Sequence, residues 1–177
     1  MLRSLFVRRL IDLREALVTW PECRTWLMCA LIFGAFVATA APIGLLSGFL
    51  RPETANLPKR TMFVIAITIF VQPSLLEEIV FRGFLLPRTG PSIPRRAAAA
   101  CAALALYVVS HPISAALFRP TVMVVFASPV YLTLAAILGA ACTAAYWISK
   151  SIWPPVVIHW ITVLAWLWFF GGQRMLA

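Results

Sequence analysis

Apolar positions along the chain gather into about five long runs, each near the length a helix needs to cross a hydrocarbon layer of about 30 Å. They cover about 25 to 50, 61 to 86, 97 to 118, 121 or 128 to 148, and 154 to 170, with short polar or proline-bearing connections such as "RPETANLPKR" between them. Pro120, Pro129, Pro154 and Pro155 leave the helix edges around the last two runs open. Ahead of the first run, Leu2, Leu5, Phe6, Leu10, Leu13 and Leu17 recur at helical spacing. Arg3, Arg8, Asp12, Arg14 and Glu15 lie largely opposite them, with Arg9 on the apolar side. This pattern predicts a helix lying in the membrane interface. The predicted fold is an all-α polytopic transmembrane bundle of about five spans. It divides into a basic amphipathic segment at 1–24 and one membrane-embedded helical domain at 25–172.

Composition agrees with the pattern: 62% of the residues are hydrophobic and 12% charged, outside the range of an ordinary soluble domain. "ATA" at residues 38–40 has the form of a signal-peptidase site, but the run continues apolar beyond it, so a retained helix is the expectation. The net charge of +9 would suggest nucleic acid in a soluble protein. Here the basic residues sit in the N-terminal segment and the connections, where they act as topology signals and contacts for anionic lipid, so no nucleic-acid partner is expected. With the N-terminus inside, nine Arg and Lys residues fall on the inner side and five on the outer, which favours that orientation. Small size and a preference for Arg over Lys point to a bacterial plasma membrane. The four cysteines lack metal-ligand spacing, and three of them lie in apolar helical runs where a thiol reads as a small hydrophobe.

One run breaks the rule that membrane interiors exclude charge. "LLEEIVFRGFLL", residues 75–86, carries Glu77, Glu78 and Arg82. A single charged side chain at mid-bilayer costs about 2.5–3.5 kcal/mol on insertion scales, so these three must face one another, other helices or water. Glu78 and Arg82, four residues apart, share a helix face and predict an ion pair, while Glu77 is turned away by about 100° and left free. By itself the pair reads as a structural neutralisation. The two histidines, His111 and His159, also lie in apolar runs, on two further helices. Together these groups form the inventory of a site that activates water: a carboxylate, imidazoles and nearby positive charge. Pro73 and Pro112 each remove a helix donor close to these residues, which gives water a route in.

These residues resemble the CAAX prenyl protease and bacteriocin-processing family of glutamic-type intramembrane endopeptidases, also called the abortive-infection-like family. "EEIVFR" matches its E-E-x-x-x-R motif in full. "YVVSH", 107–111, resembles its aromatic-x-x-x-His motif, with Tyr107 where Phe is commoner. "HWITV", 159–163, resembles its His-x-x-x-Asn motif through the histidine. The resemblance covers roughly residues 60 to 170. It implies that Glu77 and His111 activate the attacking water, that Glu78 and Arg82 shape and charge-balance the site, and that His159 polarises or holds the scissile carbonyl. Val163 stands where family enzymes commonly carry an asparagine oxyanion donor; Thr162 or a backbone amide is the available substitute. The implied substrate is a membrane-associated peptide or protein, and no cofactor is implied.

Three other readings use the same residues. Glu77, Glu78, His111 and His159 are possible zinc ligands of a metal-dependent membrane protease, although there is no "HExxH" and Arg82 would repel a cation. A catalytically weak or inactive member acting as a membrane scaffold or immunity protein would explain Val163. A proton-coupled transporter would use the carboxylates and histidines as a relay, but the chain has no visible inverted repeat. Oligomeric state leaves no mark in the sequence.

Overall fold

The computed structural model describes residues 2–88 and 92–176, with side chains from Phe6 onward. All regular elements among them are helical: α1 (Leu2–Val18), α2 (Cys23–Leu46), α3 (Lys59–Phe84), α4 (Ile93–Phe118), α5 (Pro129–Ser149), α6 (Trp153–Phe169) and a short α7 (Gly172–Leu176), with short helical turns at Pro120–Val122 and Met123–Phe126 between α4 and α5. Helices α2 to α5 are long and apolar enough to cross a bilayer. Helix α6 is apolar too, but its 17 residues rise only about 26 Å. The protein is therefore a helical membrane bundle, as the pattern of runs predicts.

Local chemistry sets the helix ends. Pro58 precedes α3, Pro94 lies in the first turn of α4, and Ser128 caps α5 by accepting from the Tyr131 amide at 3.2 Å, with Pro129 at the first helical position. Helix α5 stops at Lys150, whose backbone is left-handed (φ 54°). The chain then turns through residues 151–152 into α6, which opens on Trp153-Pro154-Pro155.

Helix α5 is the axis of the bundle and packs on α2, α4 and α6. Small side chains make this possible: Ala141, Cys142 and Ala145 on α5 meet Cys29, Phe36 and Ala40 on α2 and Ile158 on α6. In a membrane, association depends on such close packing, because lipid is as apolar as the side chains it would replace. Large apolar side chains such as Leu31, Leu46, Phe63, Leu106 and Phe118 stay exposed on the outside, as a lipid-facing surface requires.

Helix α1 is bolted to the rest of the bundle. Its last carbonyls would lack partners, yet Ala16 accepts from the Ile152 amide at 3.3 Å, Leu17 from the Trp153 indole at 2.9 Å and Thr19 from the Ser151 hydroxyl at 2.7 Å. Leu13 presses on Gly83 of α3, where a Cβ would come within 2.5 Å of it. Phe6 meets Phe84 of α3 edge to face, with ring centres 5.8 Å apart, so α1 grips α3 along one side, while Leu10 and Ile11 stay largely exposed.

Helix α3 does not run straight. Gln72 adopts an extended conformation (φ −137°, ψ 119°), and the Gln72–Pro73 peptide is cis. Beyond this break the helix turns irregularly, with wide turns at Phe70–Leu75 and Ile79–Phe84 on either side of Leu76–Glu78. Of the two prolines expected to open the backbone, Pro73 sits at the break, whereas α4 continues through Pro112. Before the break, the Ala66 carbonyl accepts from the Trp160 indole at 2.9 Å, which holds the upper half of α3 against α6.

Candidate active site

Below the break, α3 carries Glu77, Glu78 and Arg82. Arg82 donates from Nη1 to Glu78 Oε1 at 3.0 Å, the i, i+4 pair that the spacing predicts. It also donates from Nη2 to the Gly139 carbonyl of α5 at 2.8 Å, and its guanidinium lies 4.6 Å from the centre of the Tyr107 ring. The arginine thereby ties three helices together. Such a buried pair is costly to break: removing one partner typically costs about 3–5 kcal/mol, because the other charge is stranded.

Gly139 makes this approach possible. A Cβ at that position would lie 2.6 Å from Leu104 Cδ1, 3.0 Å from Tyr107 Cδ1 and 3.1 Å from Arg82 Nη2. Gly139→Ala is expected to lower stability by about 1–3 kcal/mol through overpacking, read as a lower thermal midpoint of the purified protein in detergent. An unchanged midpoint would show that Arg82 can move without loss.

His159 of α6 completes the buried arrangement. Its Nδ1 donates to Glu78 Oε1 at 3.0 Å, since a carboxylate bonded to arginine can only accept. The other ring nitrogen, Nε2, is aimed at Glu77, 3.9 Å from Oε2. The two adjacent glutamates differ sharply in access. Glu78 is sealed, with 0% of its side chain accessible, whereas Glu77 is 27% accessible. Glu77 Oε2, the oxygen turned toward His159, is itself buried and has no hydrogen-bond partner among the described residues, so the accessible part of Glu77 is the rest of its side chain. The carboxylate that spacing leaves free is thus the one that can be reached.

It is reached from a cavity of about 710 Å³ enclosed by α2 to α6. Glu77, His111, His159, Thr162 and Val163 all line it, while Glu78 and Arg82 lie behind Glu77. The lining is otherwise mainly apolar, and the far end is bordered by Leu50, Phe118, Arg119, Phe170 and Leu176, on the side of the bundle away from the Ser151 corner. His111 donates from Nδ1 to the Tyr107 carbonyl at 2.8 Å, which leaves Nε2 as its acceptor in the neutral ring. The Tyr107 ring is shared by the two histidines, with its centre 4.8 Å from that of His111 and 6.2 Å from that of His159. Among the described residues His159, and not His111, comes within ion-pair distance of a glutamate.

Thr162 and Val163 differ by about 100° around a regular helix, yet the cavity is broad enough to touch both. The Thr162 hydroxyl is engaged with the Ile158 carbonyl at 2.8 Å. Among the described residues no three His, Cys, Asp or Glu side chains converge as a metal-binding group. The donor set is poorly suited to zinc, since Glu78 Oε1 is already shared by a guanidinium and an imidazole.

Sequence reasoning misses four residues. Gly139 had a signal, an isolated glycine in an apolar helix, which often marks a close approach. Gln72 had an indirect one in the proline that follows it. Tyr131, whose ring centre is 5.4 Å from that of His111, and Trp166, with a buried indole N–H that lacks a partner among the described residues, line the cavity without any local signature.

A family model described as type II CAAX prenyl endopeptidase Rce1-like matches residues 59–165, more than half of the chain and the stretch that holds Glu77, Glu78, Arg82, His111, His159, Thr162 and Val163. No curated protein and no solved structure matches the chain. With its buried glutamate–arginine pair, its two cavity histidines and this match, the chain belongs to the Rce1-like family of type II CAAX prenyl endopeptidases, a family of membrane proteases.

Proposed function

We propose that this protein is an intramembrane endopeptidase in which Glu77 and His111 activate water, and that it works without a bound metal. One observation carries the reading: an accessible carboxylate, Glu77, faces an imidazole at 3.9 Å inside a largely apolar cavity that also holds a second imidazole. The imidazole is that of His159, the separation is too long for a direct hydrogen bond, and Glu77 Oε2 is left without a partner among the described residues, free to take a proton.

The chemistry follows from the donors and acceptors. Water in the cavity gives a proton to Glu77 while its oxygen attacks the scissile carbonyl carbon, and His111 Nε2, free as an acceptor, orients that water. The carbonyl oxygen gains negative charge. His159, held through Nδ1 by Glu78, donates from Nε2 to it when protonated, and Glu78 balances the imidazolium. Glu77 then passes its proton to the leaving amine, so the products are a new carboxyl terminus and a new amino terminus. Arg82 holds Glu78 in place.

The substrate in this reading is a membrane-anchored protein or a peptide precursor, since an extended apolar segment suits the cavity walls. The excess of Arg and Lys on the N-terminal side supports an N-terminus in the cytoplasm. The far end of the cavity would then face the outer surface.

Mass-spectrometric comparison of membrane peptides from cells carrying wild-type protein, Glu77→Gln and His111→Ala, at matched expression, tests the function. A new terminus found only with wild type is the expected outcome, and it names the substrate. Val163 favours a second reading, an inactive scaffold or immunity protein. Identical peptides in all three samples, with a deletion phenotype that Glu77→Gln restores, would establish it. Once a substrate is in hand, treatment of the purified protein with a strong zinc chelator is expected to leave the cleavage rate unchanged. Loss of activity that added zinc restores would overturn the metal-free mechanism.

A further inference from the structure

Apart from the cavity, α4 and α5 leave a depression of about 290 Å³ between them. Its walls are Ala97, Ala100 and Leu104 from α4 and Ala140 and Ala144 from α5, with Trp147 at one end. From Ala97 to Leu104 the wall extends along about 10 Å of helix. Alanines in this row, where larger side chains would fill the space, leave a narrow apolar trough.

The Trp147 end is built differently. The Arg96 guanidinium lies over the Trp147 ring, 5.1 Å from its centre. Arg96 Nε and Trp147 Nε1 are both buried, and neither N–H has a partner among the described residues. Buried donors without acceptors are rare in native proteins, and one of these belongs to a guanidinium, a group that favours an anionic partner. The surrounding charge points the same way. Arg88 is answered by Glu15, but among the described residues no carboxylate pairs with Arg96 or Lys150. Burial and then the cations Arg96 and Arg88 weaken the hold of Lys150 on its proton, a sign of positive charge crowded at this corner. Trp147 is also the residue type enriched where hydrocarbon gives way to headgroups.

We propose that the trough between α4 and α5 binds an anionic phospholipid. The phosphate accepts from the outer nitrogens of the Arg96 guanidinium at the Trp147 end, with Lys150 alongside, and one acyl chain lies along the alanine walls. This site is separate from the proteolytic cavity and does not depend on whether the protein cleaves peptides. A phosphate ion satisfies the donors equally well but leaves the trough unused, so the tail distinguishes a lipid from a free anion.

The test is native mass spectrometry of the full-length protein in neutral detergent with phosphatidylglycerol and phosphatidylcholine of identical acyl chains. Wild type is expected to retain phosphatidylglycerol preferentially, and Arg96→Gln to reduce that preference about fivefold, the share of one surface cation. Ala140→Phe, which narrows the trough and leaves the cations in place, is expected to reduce retention of both lipids. Inorganic phosphate at the same concentration is expected to displace neither. Equal retention of the two lipids by wild type, an unaltered preference in Arg96→Gln, an unaltered retention in Ala140→Phe, or displacement by inorganic phosphate would each overturn the proposal.

Discussion

Glu77→Gln is expected to slow peptide cleavage by about 10²–10⁴-fold, the usual share of a positioned general base, while the protein keeps its fold. The amide is nearly the same size but cannot take a proton from water. Glu77 lies outside the buried bonds among Glu78, Arg82, His159 and Gly139, so its charge can be removed without stranding another. Glu78→Gln should behave in the opposite sense and lose stability before it loses chemistry, because it leaves Arg82 buried with a weakened partner. Initial rates on a reconstituted substrate, set beside thermal midpoints in the same detergent, separate the two effects. Equal rates for wild type and Glu77→Gln would remove Glu77 from the mechanism.

The second large effect is a gain. Val163→Asn is expected to raise the cleavage rate by about 10²–10³-fold, the typical value of one oxyanion donor. Val163 already lines the cavity, so the new amide meets open space and a polar site. If the rate does not rise, the developing charge is already served, and Thr162→Val in the wild-type background identifies the server. The Thr162 hydroxyl would have to leave the Ile158 carbonyl, 2.8 Å away, to reach substrate. A rate unaffected by Thr162→Val as well as by Val163→Asn leaves His159 Nε2 or a backbone amide as the donor.

Much of this arrangement is legible in the sequence because the membrane makes charge conspicuous. Glu78 and Arg82 announce their bond by spacing, and an apolar helix cannot easily carry them unpaired. The helix runs and their order are readable for the same reason. Relations between helices are not readable. Nothing near His159 says that it donates to a carboxylate 81 residues earlier in the chain, or that the adjacent Glu77, turned about 100° away, would face its other nitrogen. The role of Gly139 depends on Arg82 arriving from α3, and the kinship of Tyr131 with His111 depends on how α4 leans on α5. Pro73 and Pro112 look alike in sequence, yet only the first coincides with a break, because a proline can be carried within a membrane helix when neighbours meet the freed backbone groups.

The bond from Arg82 to the Gly139 carbonyl also bears on how the chain enters the bilayer. Helix α3 brings an arginine and two glutamates, and its hydrogen-bond partners for them outside itself are Gly139 and His159, which emerge from the ribosome 57 residues after Arg82 and 81 residues after Glu78. Until then it is a poor membrane segment, for which a water-exposed position competes with the lipid one. Its secure residence therefore waits for α5 and α6. A chain that ends after α4 would carry all the apolar length of α3 and lack the partners that let it stay.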